Sequence, residues 1–178
     1  MKRILTIVAV LAVLGLTFAV AFAGMHGAGH GGHAEGCQYC GMSLTKFAHT
    51  AMTIFYEDET SVSTCSIHCA AVDMALNIDK TPAKITVGDF NTREQIDAEQ
   101  AFWVIDNAAA GVMTSRAKWA FATRAAAEAY VNEKCASSGR IVSFEDAMRE
   151  AYTDMYNDTL MIRKMRKMRQ MQGGGASH

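Results

Sequence analysis

The body of this chain contains a weak internal repeat, which restricts the folds available to it. Residues 65–90 align on residues 121–146 without a gap when the sequence is shifted by 56 positions (121 − 65). In this alignment one segment of helical spacing falls on another, and Lys84-Ile85 falls on Arg140-Ile141. Two copies are too few for a solenoid, in which repeats stack on neighbours. The alignment therefore indicates two similar units that pack against each other.

The secondary structure predicted from residue patterns has the same order in both units. Ser66 is well placed as the N-cap of the first helix. The predicted strands are 51–56, 61–65, 83–90, 101–107, 119–123 and 139–144, and the predicted helices are 67–78, 124–136 and 145–172. This pattern predicts an α+β fold of two tandem ββαβ units, residues 37–90 and 101–144. A C-terminal helix and tail, residues 145–178, follow them.

Residues 1–23 have the pattern of a secretory signal peptide. Lys2-Arg3 precedes an apolar run, and Ala21-Phe22-Ala23 matches the small-x-small signal that signal peptidase recognises. An uncleaved membrane anchor is the alternative, because a helix over residues 4–22 would span about 28 Å, close to the hydrocarbon thickness. The first cysteine is Cys37, so no lipidation cysteine stands at the end of this leader. Both alternatives place the body outside the cytoplasmic membrane, and we predict a periplasmic location.

Charge is unevenly distributed along the chain. Residues 24–160 carry 10 basic and 18 acidic side chains, a net charge of −8, whereas residues 161–178 carry five basic side chains and no acidic one. The acidic body offers nothing that would bind a phosphate backbone, which argues against a nucleic-acid partner. The basic segment belongs to the predicted C-terminal helix, so contact between this helix and a membrane surface is one interpretation of it.

Four of the five cysteines form two short clusters, which are Cys37-Gln38-Tyr39-Cys40-Gly41-Met42 and Cys65-Ser66-Ile67-His68-Cys69. Cys65 and Cys69 are four residues apart at a predicted helix start, so their sulfurs share one face of the helix. The helix N-terminus favours the thiolate form, which is the form that binds metal. Soft thiolate and thioether ligands select copper(I) or zinc, and the adjacent Met42 favours copper. We therefore predict a copper(I) site.

Three other interpretations of the clusters remain open from the residues alone. The cysteines of an exported chain can pair as structural disulfides. Four cysteines can also hold a structural zinc ion. A redox-active dithiol is the third interpretation, although the strand, CxxC and helix of a thioredoxin-like motif are missing. The fifth cysteine, Cys135, is predicted to be a small buried side chain, and the aromatic residues Trp103, Trp119, Phe121 and Tyr130 are predicted to lie in the core.

The run Cys37 to Met42, followed by a hairpin and by Cys65 to Cys69, resembles the first half of the NosL family. The second half resembles the same family through residues 103–106, 111–113, 120–122 and 139–144, so that the similarity covers about residues 37–150. The resemblance implies a fold related to the organomercurial lyase MerB, copper(I) binding, and copper supply to nitrous oxide reductase. It also implies Cys40 and Met42 as ligands, with Met113 as a candidate from the second unit.

These observations predict a periplasmic metallochaperone that receives copper(I) from a donor and passes it to a copper enzyme. It is predicted not to be an enzyme itself. Its predicted metal ligands are Cys37, Cys40, Met42, Cys65, His68, Cys69 and Met113. One alternative is an interaction module stapled by zinc or disulfides. The other is an enzyme similar to the organomercurial lyase, in which Cys65 and Cys69 act with Asp73; fold similarity alone does not transfer such an activity.

The two ends of the mature chain carry further candidate metal residues. Residues 24–36 form a glycine- and histidine-rich linker, predicted to be flexible. Cleavage after Ala23 would expose Gly24-Met25-His26, whose nitrogens can form a square-planar copper(II) site through His26. In the C-terminal helix, four methionines at helical spacing lie on one face, namely Met161, Met165, Met168 and Met171. This stripe is typical of a packing or partner surface, and weak passage of copper(I) between thioethers is an alternative.

Overall fold

Two antiparallel sheets and three helices make up the part of the chain that the computed structural model describes, residues 36–135 and 138–173. The elements of the first unit are β1 Met52–Tyr56, β2 Ser61–Thr64, α1 Ile67–Leu76, β3 Pro82–Gly88 and β4 Gln95–Asp97. Those of the second are β5 Phe102–Asp106, β6 Ala117–Phe121, α2 Arg124–Lys134 and β7 Gly139–Val142. The final helix, α3, is Phe144–Gly173.

Apart from the extra edge strand β4, the two sheets share one topology. The strand order is β2-β1-β3-β4 in the first and β6-β5-β7 in the second, with antiparallel pairing throughout. Ile85 of β3 pairs with the central strand of its sheet, and Ile141 of β7 does the same in the second sheet. These two residues are equivalent in the sequence repeat. The predicted α+β fold of two ββαβ units and a C-terminal helix is confirmed.

Several element ends differ from the predictions for local reasons. Helix α1 ends at Leu76 because Asn77 leaves the helical conformation, with φ −114° and ψ 46°, and its side-chain amide caps the helix by donating to the carbonyl of Asp73. Strand β6 ends at Phe121, and Thr123 instead caps α2, where its side chain accepts a hydrogen bond from the Ala126 N–H. Strand β4 has no equivalent among the predictions, since its three residues are held by pairing with β3.

The main core lies between the two units. It combines Met52 and Ile54 of the first sheet with Trp103 and Ile105 of the second, all at most 1% exposed, and the first turns of α3 pack against it. A smaller core inside the second unit contains three of the side chains predicted to be buried, Trp119, Phe121 and Cys135, with Tyr130 packed against them. Helix α3 therefore packs against the core through its first turns, and its described side chains from Arg163 onward are exposed.

No helix in residues 36–135 and 138–173 combines the length and the apolar character that membrane crossing requires. The predicted signal peptide lies outside the described residues. So do the linker, except for its last residue Gly36, and the proposed copper(II) ligand His26. These features stay predictions.

Candidate metal centre

The structure brings four of the predicted ligands into one cluster, the four-cysteine cluster of Cys37, Cys40, Cys65 and Cys69. Their sulfur atoms all lie within 4.8 Å of one another. The Sγ atom of Cys65 is 3.4 Å from that of Cys40 and 3.8 Å from that of Cys69. All four are free thiols, so no disulfide joins them. A tetrahedral ion with metal–sulfur bonds of about 2.3 Å would hold its sulfurs about 3.8 Å apart, so the spacing fits one metal ion.

A tight loop presents the first two sulfurs. The backbone N–H of Cys37 donates to the carbonyl of Met42, and the N–H of Gly41 donates back to the carbonyl of Cys37, both at 2.8 Å. Gly41 has a φ of +75°, a left-handed conformation that a residue without a Cβ adopts at no steric cost. We refer to residues 37–42 as the cysteine loop. Its short hydrogen-bonded span explains why glycine follows Cys40.

The cysteine loop is fastened to helix α1 by a buried carboxylate. The hydroxyl of Tyr39 donates to one oxygen of Asp73, and the hydroxyl of Tyr56 donates to the other. Asp73 is fully buried. Burial and the neighbouring carboxylate raise the pKa of Tyr39, so its hydroxyl remains a donor. Because both of its oxygens are engaged, Asp73 positions the loop rather than standing free as the acid of an organomercurial-lyase-like site.

The start of α1 supplies the other two sulfurs. Cys65 precedes the helix and Cys69 lies in its first turn, which places both sulfurs toward the cysteine loop. Thr50 holds this segment in place, since its hydroxyl donates to the carbonyl of Cys65 at 2.8 Å. His68 is not part of the cluster. Its ring is buried, and its Nδ1 atom lies 3.5 Å from a carboxylate oxygen of Asp158 in α3.

Hydrogen bonding within the cluster shifts the pKa values of three of its cysteines in opposite directions. The pKa of Cys37 is far below its usual value because its sulfur accepts hydrogen bonds from the thiols of Cys65 and Cys69, and from the backbone N–H groups of Cys65 and Cys40. The same interaction raises the pKa values of Cys65 and Cys69, and burial raises them further. Cysteine binds metal as the thiolate, so metal binding at the protonated thiols of this cluster would release protons.

Exposure differs within the cluster in a way that defines its open side. Cys37, Cys65 and Cys69 are at most 2% exposed, whereas Cys40 is partly exposed. Cys40 also lines a cavity of about 520 Å³, which we call the methionine cavity. The other sulfur-containing residues that line it are Met42, Met113, Met161 and Met165. The only described face of the cluster that reaches this cavity is therefore the one formed by Cys40.

The methionine cavity is lined by residues that were predicted as candidate ligands and by residues that were not. Met42 and Met113, which the resemblance implied as candidate ligands, line it together with Cys40. Met113 has a φ of +63°, an uncommon conformation outside glycine that costs on the order of 1 kcal/mol and is frequent in ligand-binding loops. His49 lines the same cavity and packs against the rings of Phe90 and Trp119. Burial lowers the pKa of His49, and no local pattern in the sequence marked it.

A comparison with protein-family models matches residues 31–152 to the NosL family. The chain belongs to the NosL family. Among solved structures it is similar to the crystal structure of the copper chaperone NosL from Shewanella denitrificans, with 20% sequence identity and a TM-score of 0.50. The similarity covers 62% of this chain and 87% of that chain. A comparison with curated protein sequences gave no match.

Some of the sulfur-containing side chains lie inside the range matched by the NosL model and others lie beyond it. All four clustered cysteines, Met42 and Met113 lie inside it. The match ends at residue 152, within helix α3, so Met161 and Met165 lie beyond the part of the chain that the NosL model covers. The methionine cavity is thus built partly by the NosL region and partly by the extension of α3.

Proposed function

We propose that this chain is a periplasmic copper(I) carrier that delivers copper to a copper enzyme, nitrous oxide reductase in particular. The observation that carries the proposal is the four-cysteine cluster with Cys40 at its open side. Sulfur ligands select soft metal ions over hard ones, and the thioethers of Met42 and Met113 beside Cys40 favour copper(I) over zinc. Family membership and the similarity to a copper chaperone support the same conclusion.

Copper is the cargo in this proposal, and its transfer requires only ligand exchange. The three buried thiols, which are inaccessible to a partner, retain the ion in the cluster. Cys40 is accessible through the methionine cavity, so a sulfur ligand of a partner can replace it first. No covalent bond in the protein changes during such an exchange. The protein then acts as a carrier between a copper donor and a copper acceptor, and not as an enzyme, in agreement with its family.

A structural zinc site is the second candidate. Burial of the cysteine sulfurs favours it, because a structural zinc ion is held in a closed set of four ligands. A set made of four cysteines is common at such sites. Three of the four sulfurs are shielded from solvent. In that case the protein is an interaction module whose fold depends on zinc, and copper binding is incidental. The two candidates differ in the metal that the protein holds and in what its removal does.

Metal content decides between the candidates. The chain is produced in medium that contains both metals and purified anaerobically with a reductant, and copper and zinc are then measured by mass spectrometry. We expect copper(I) in the cluster with sulfur-only coordination in X-ray absorption spectra. Stoichiometric zinc, retained in the presence of added copper(I), would contradict the carrier and support the zinc-dependent module.

The acceptor is tested separately. Copper-loaded protein is mixed with copper-free nitrous oxide reductase under anaerobic conditions, and the copper content and visible spectrum of the reductase are followed. We expect faster metallation than from an equal concentration of a copper(I)–thiol complex. The Cys40→Ser variant is the control, since it lacks the accessible ligand. Equal rates from the protein and from the small complex would contradict this acceptor and leave the copper site itself untouched.

A further inference from the structure

The exposed side of helix α3 combines positive charge with apolar side chains. We propose that this side docks the protein on an anionic lipid bilayer, with the helix lying along the membrane surface. We call it the docking face, and it consists of Tyr152, Tyr156, Leu160, Arg163, Lys164, Lys167 and Met171. The inference goes beyond the proposed copper function and needs no metal in the four-cysteine cluster.

The first argument is that residues 152–172 of α3 present no exposed negative charge. The acidic residues of this span are Asp154 and Asp158, which are 9% and 1% exposed. Asp154 accepts a hydrogen bond from the ammonium of Lys118, and Asp158 accepts one from the backbone N–H of Ser115. The basic side chains of the span are all exposed, and they are Arg163, Lys164, Arg166, Lys167 and Arg169. The fold therefore turns both carboxylates inward and leaves a purely positive surface.

The second argument is that apolar side chains share one row with the cations. Tyr156, Leu160, Lys164, Lys167 and Met171 recur at steps of four, four, three and four residues, so they follow one side of a helix with about 3.6 residues per turn. The three apolar members are 73%, 47% and 66% exposed, in chain order. On a bilayer such side chains enter the boundary between headgroups and acyl chains, while lysine stems carry their charge back to the headgroups. The row therefore has the composition of an interfacial helix.

The third argument favours a lipid surface over an acidic protein. At about 100° per residue, the five basic side chains between Arg163 and Arg169 are spread over more than half of the helix circumference. A protein surface presents carboxylates at fixed positions, which suit a compact basic patch. Anionic lipid headgroups move laterally and can gather around cations that point in several directions. Each lysine or arginine near such a surface strengthens binding by about fivefold.

The docking face and the methionine cavity lie on opposite sides of α3. Arg169, which lines the cavity, is nine residues (169 − 160) beyond Leu160 of the docking face. Nine steps of about 100° end half a turn away from the start. Docking on a bilayer therefore leaves the cavity, and Cys40 in its lining, open to a partner.

The test is co-sedimentation of the reduced, metal-free, full-length protein with lipid vesicles. Vesicles of mixed phosphatidylglycerol and phosphatidylcholine are compared with vesicles of phosphatidylcholine alone. We expect binding to the anionic vesicles that weakens as salt is added, because salt screens exposed charges. Binding to the neutral vesicles should be weaker.

A pair of charge variants assigns the binding to α3. The double variant Lys164→Gln with Lys167→Gln should bind anionic vesicles about tenfold more weakly or worse. The matched control is Lys84→Gln with Lys134→Gln, which removes the same charge from exposed positions in β3 and α2. This control should bind as the unchanged protein does. Both variants retain residues 1–23, so the apolar leader affects them equally.

A measurement on the unchanged protein identifies the face that meets the membrane. The methionine methyl groups are labelled with carbon-13, and anionic bicelles that contain a nitroxide-labelled lipid are added. The methyl signals of Met168 and Met171, both exposed on α3, should broaden. Those of Met52 and Met148, which are buried in the main core, should keep their width.

Several results would overturn the inference. Equal binding to neutral and anionic vesicles, or equal losses in the two lysine variants, would show that the docking face does not provide the contact. Absence of broadening at Met168 and Met171 would place another part of the chain on the bilayer. Retention on immobilised polyglutamate without binding to anionic vesicles would assign the face to an acidic protein instead. Because no metal is present in these experiments, each of these results leaves the proposed copper function intact.

Discussion

The hydroxyl of Tyr39 donates a hydrogen bond to the buried carboxylate of Asp73, and this contact joins the loop that carries Cys37 and Cys40 to the helix that carries Cys69. Two pairs of clustered cysteines from separate segments are thereby held at a fixed distance from each other. Preorganisation of this kind raises metal affinity because less ordering is required when the ion arrives. The geometry of the cluster thus depends on a residue that does not itself bind metal.

Replacement of Tyr39 by Phe should therefore weaken copper(I) binding as well as the fold. The lost hydrogen bond to a buried carboxylate should reduce the free energy of unfolding by about 1–2 kcal/mol. Tyr56→Phe is the matched control, because Tyr56 donates to the other oxygen of Asp73 but lies outside the cysteine loop. Urea unfolding should show a similar loss of stability for both variants. Competition for copper(I) with a chelator should show a lower copper affinity for Tyr39→Phe only. Equal copper(I) affinities of the two variants would show that the hydrogen bond from Tyr39 to Asp73 does not support metal binding.

Replacement of Cys40 by Ser should lower copper(I) affinity by about tenfold or more, since a thiolate ligand is lost from the accessible side of the cluster. Cys135→Ser is the control. Cys135 is fully buried in the second unit, away from the cluster, so its replacement should reduce stability and leave copper affinity unchanged. Competition with a chromophoric copper(I) chelator measures both variants. Similar affinities for the two variants would exclude Cys40 as a ligand.

Removal of metal should leave the fold intact. The main core is formed by apolar side chains such as Met52, Ile54 and Trp103, and none of the clustered cysteines belongs to it. A chain of this length buries enough apolar surface to remain folded without a metal. We expect the reduced, chelator-treated protein to keep its helix and strand signals in circular dichroism. Loss of these signals would favour a structural zinc ion, whose binding energy is largely folding energy.

Replacement of Asp154 by Ala should destabilise the protein by about 3 kcal/mol, because the ammonium of Lys118 would remain buried without its carboxylate. The surface pair of Asp146 and Arg149 on the same helix provides the control. Asp146→Ala should cost less than about 1 kcal/mol, as exposed ion pairs contribute little. Thermal or urea unfolding followed by circular dichroism compares the two. Losses of equal size would mean that Lys118 does not depend on Asp154.

Stability should fall as the pH is lowered below about 4. Burial would by itself raise the pKa of Asp89, but the backbone N–H groups of Thr92, Ala122 and Asn91 outweigh it and hold this pKa below its usual value. A carboxyl with a lower pKa in the folded state contributes stability above its unfolded pKa of about 4, and loses it as the pH falls through the folded value. Urea unfolding of the metal-free protein across this range measures the effect.

Asp89→Asn should make that decline shallower, whereas Glu99→Gln, at an exposed position, should leave it unchanged. The Ala122 N–H that donates to Asp89 belongs to the second unit, so the titration reports on contact between the two units. An identical pH dependence in the Asp89→Asn variant and the unchanged protein would show that this carboxyl does not control it.

Short-range patterns were sufficient to predict most of the architecture. Alternating and helical spacing within a few residues identified the hairpin, the helices and the repeat, because each depends on neighbours along one element. The same holds for Cys65 and Cys69, whose spacing of four residues places them on one face of α1. Differences from these patterns appear at element ends, where Thr123 and Asn77 cap helices, and at strand β4, which the patterns did not predict.

Which faces meet was decided by tertiary packing. Spacing along the chain places His68 between Cys65 and Cys69, yet its ring lies beside Asp158 of α3 and outside the cluster. The methionine stripe is visible in the sequence, but only the docking of α3 shows that Met161 and Met165 line a cavity with Cys40 while Met168 and Met171 do not. Sequence determines which side chains share a face of one element. The partner of that face depends on contacts between residues far apart in the chain, and no local pattern encodes these contacts.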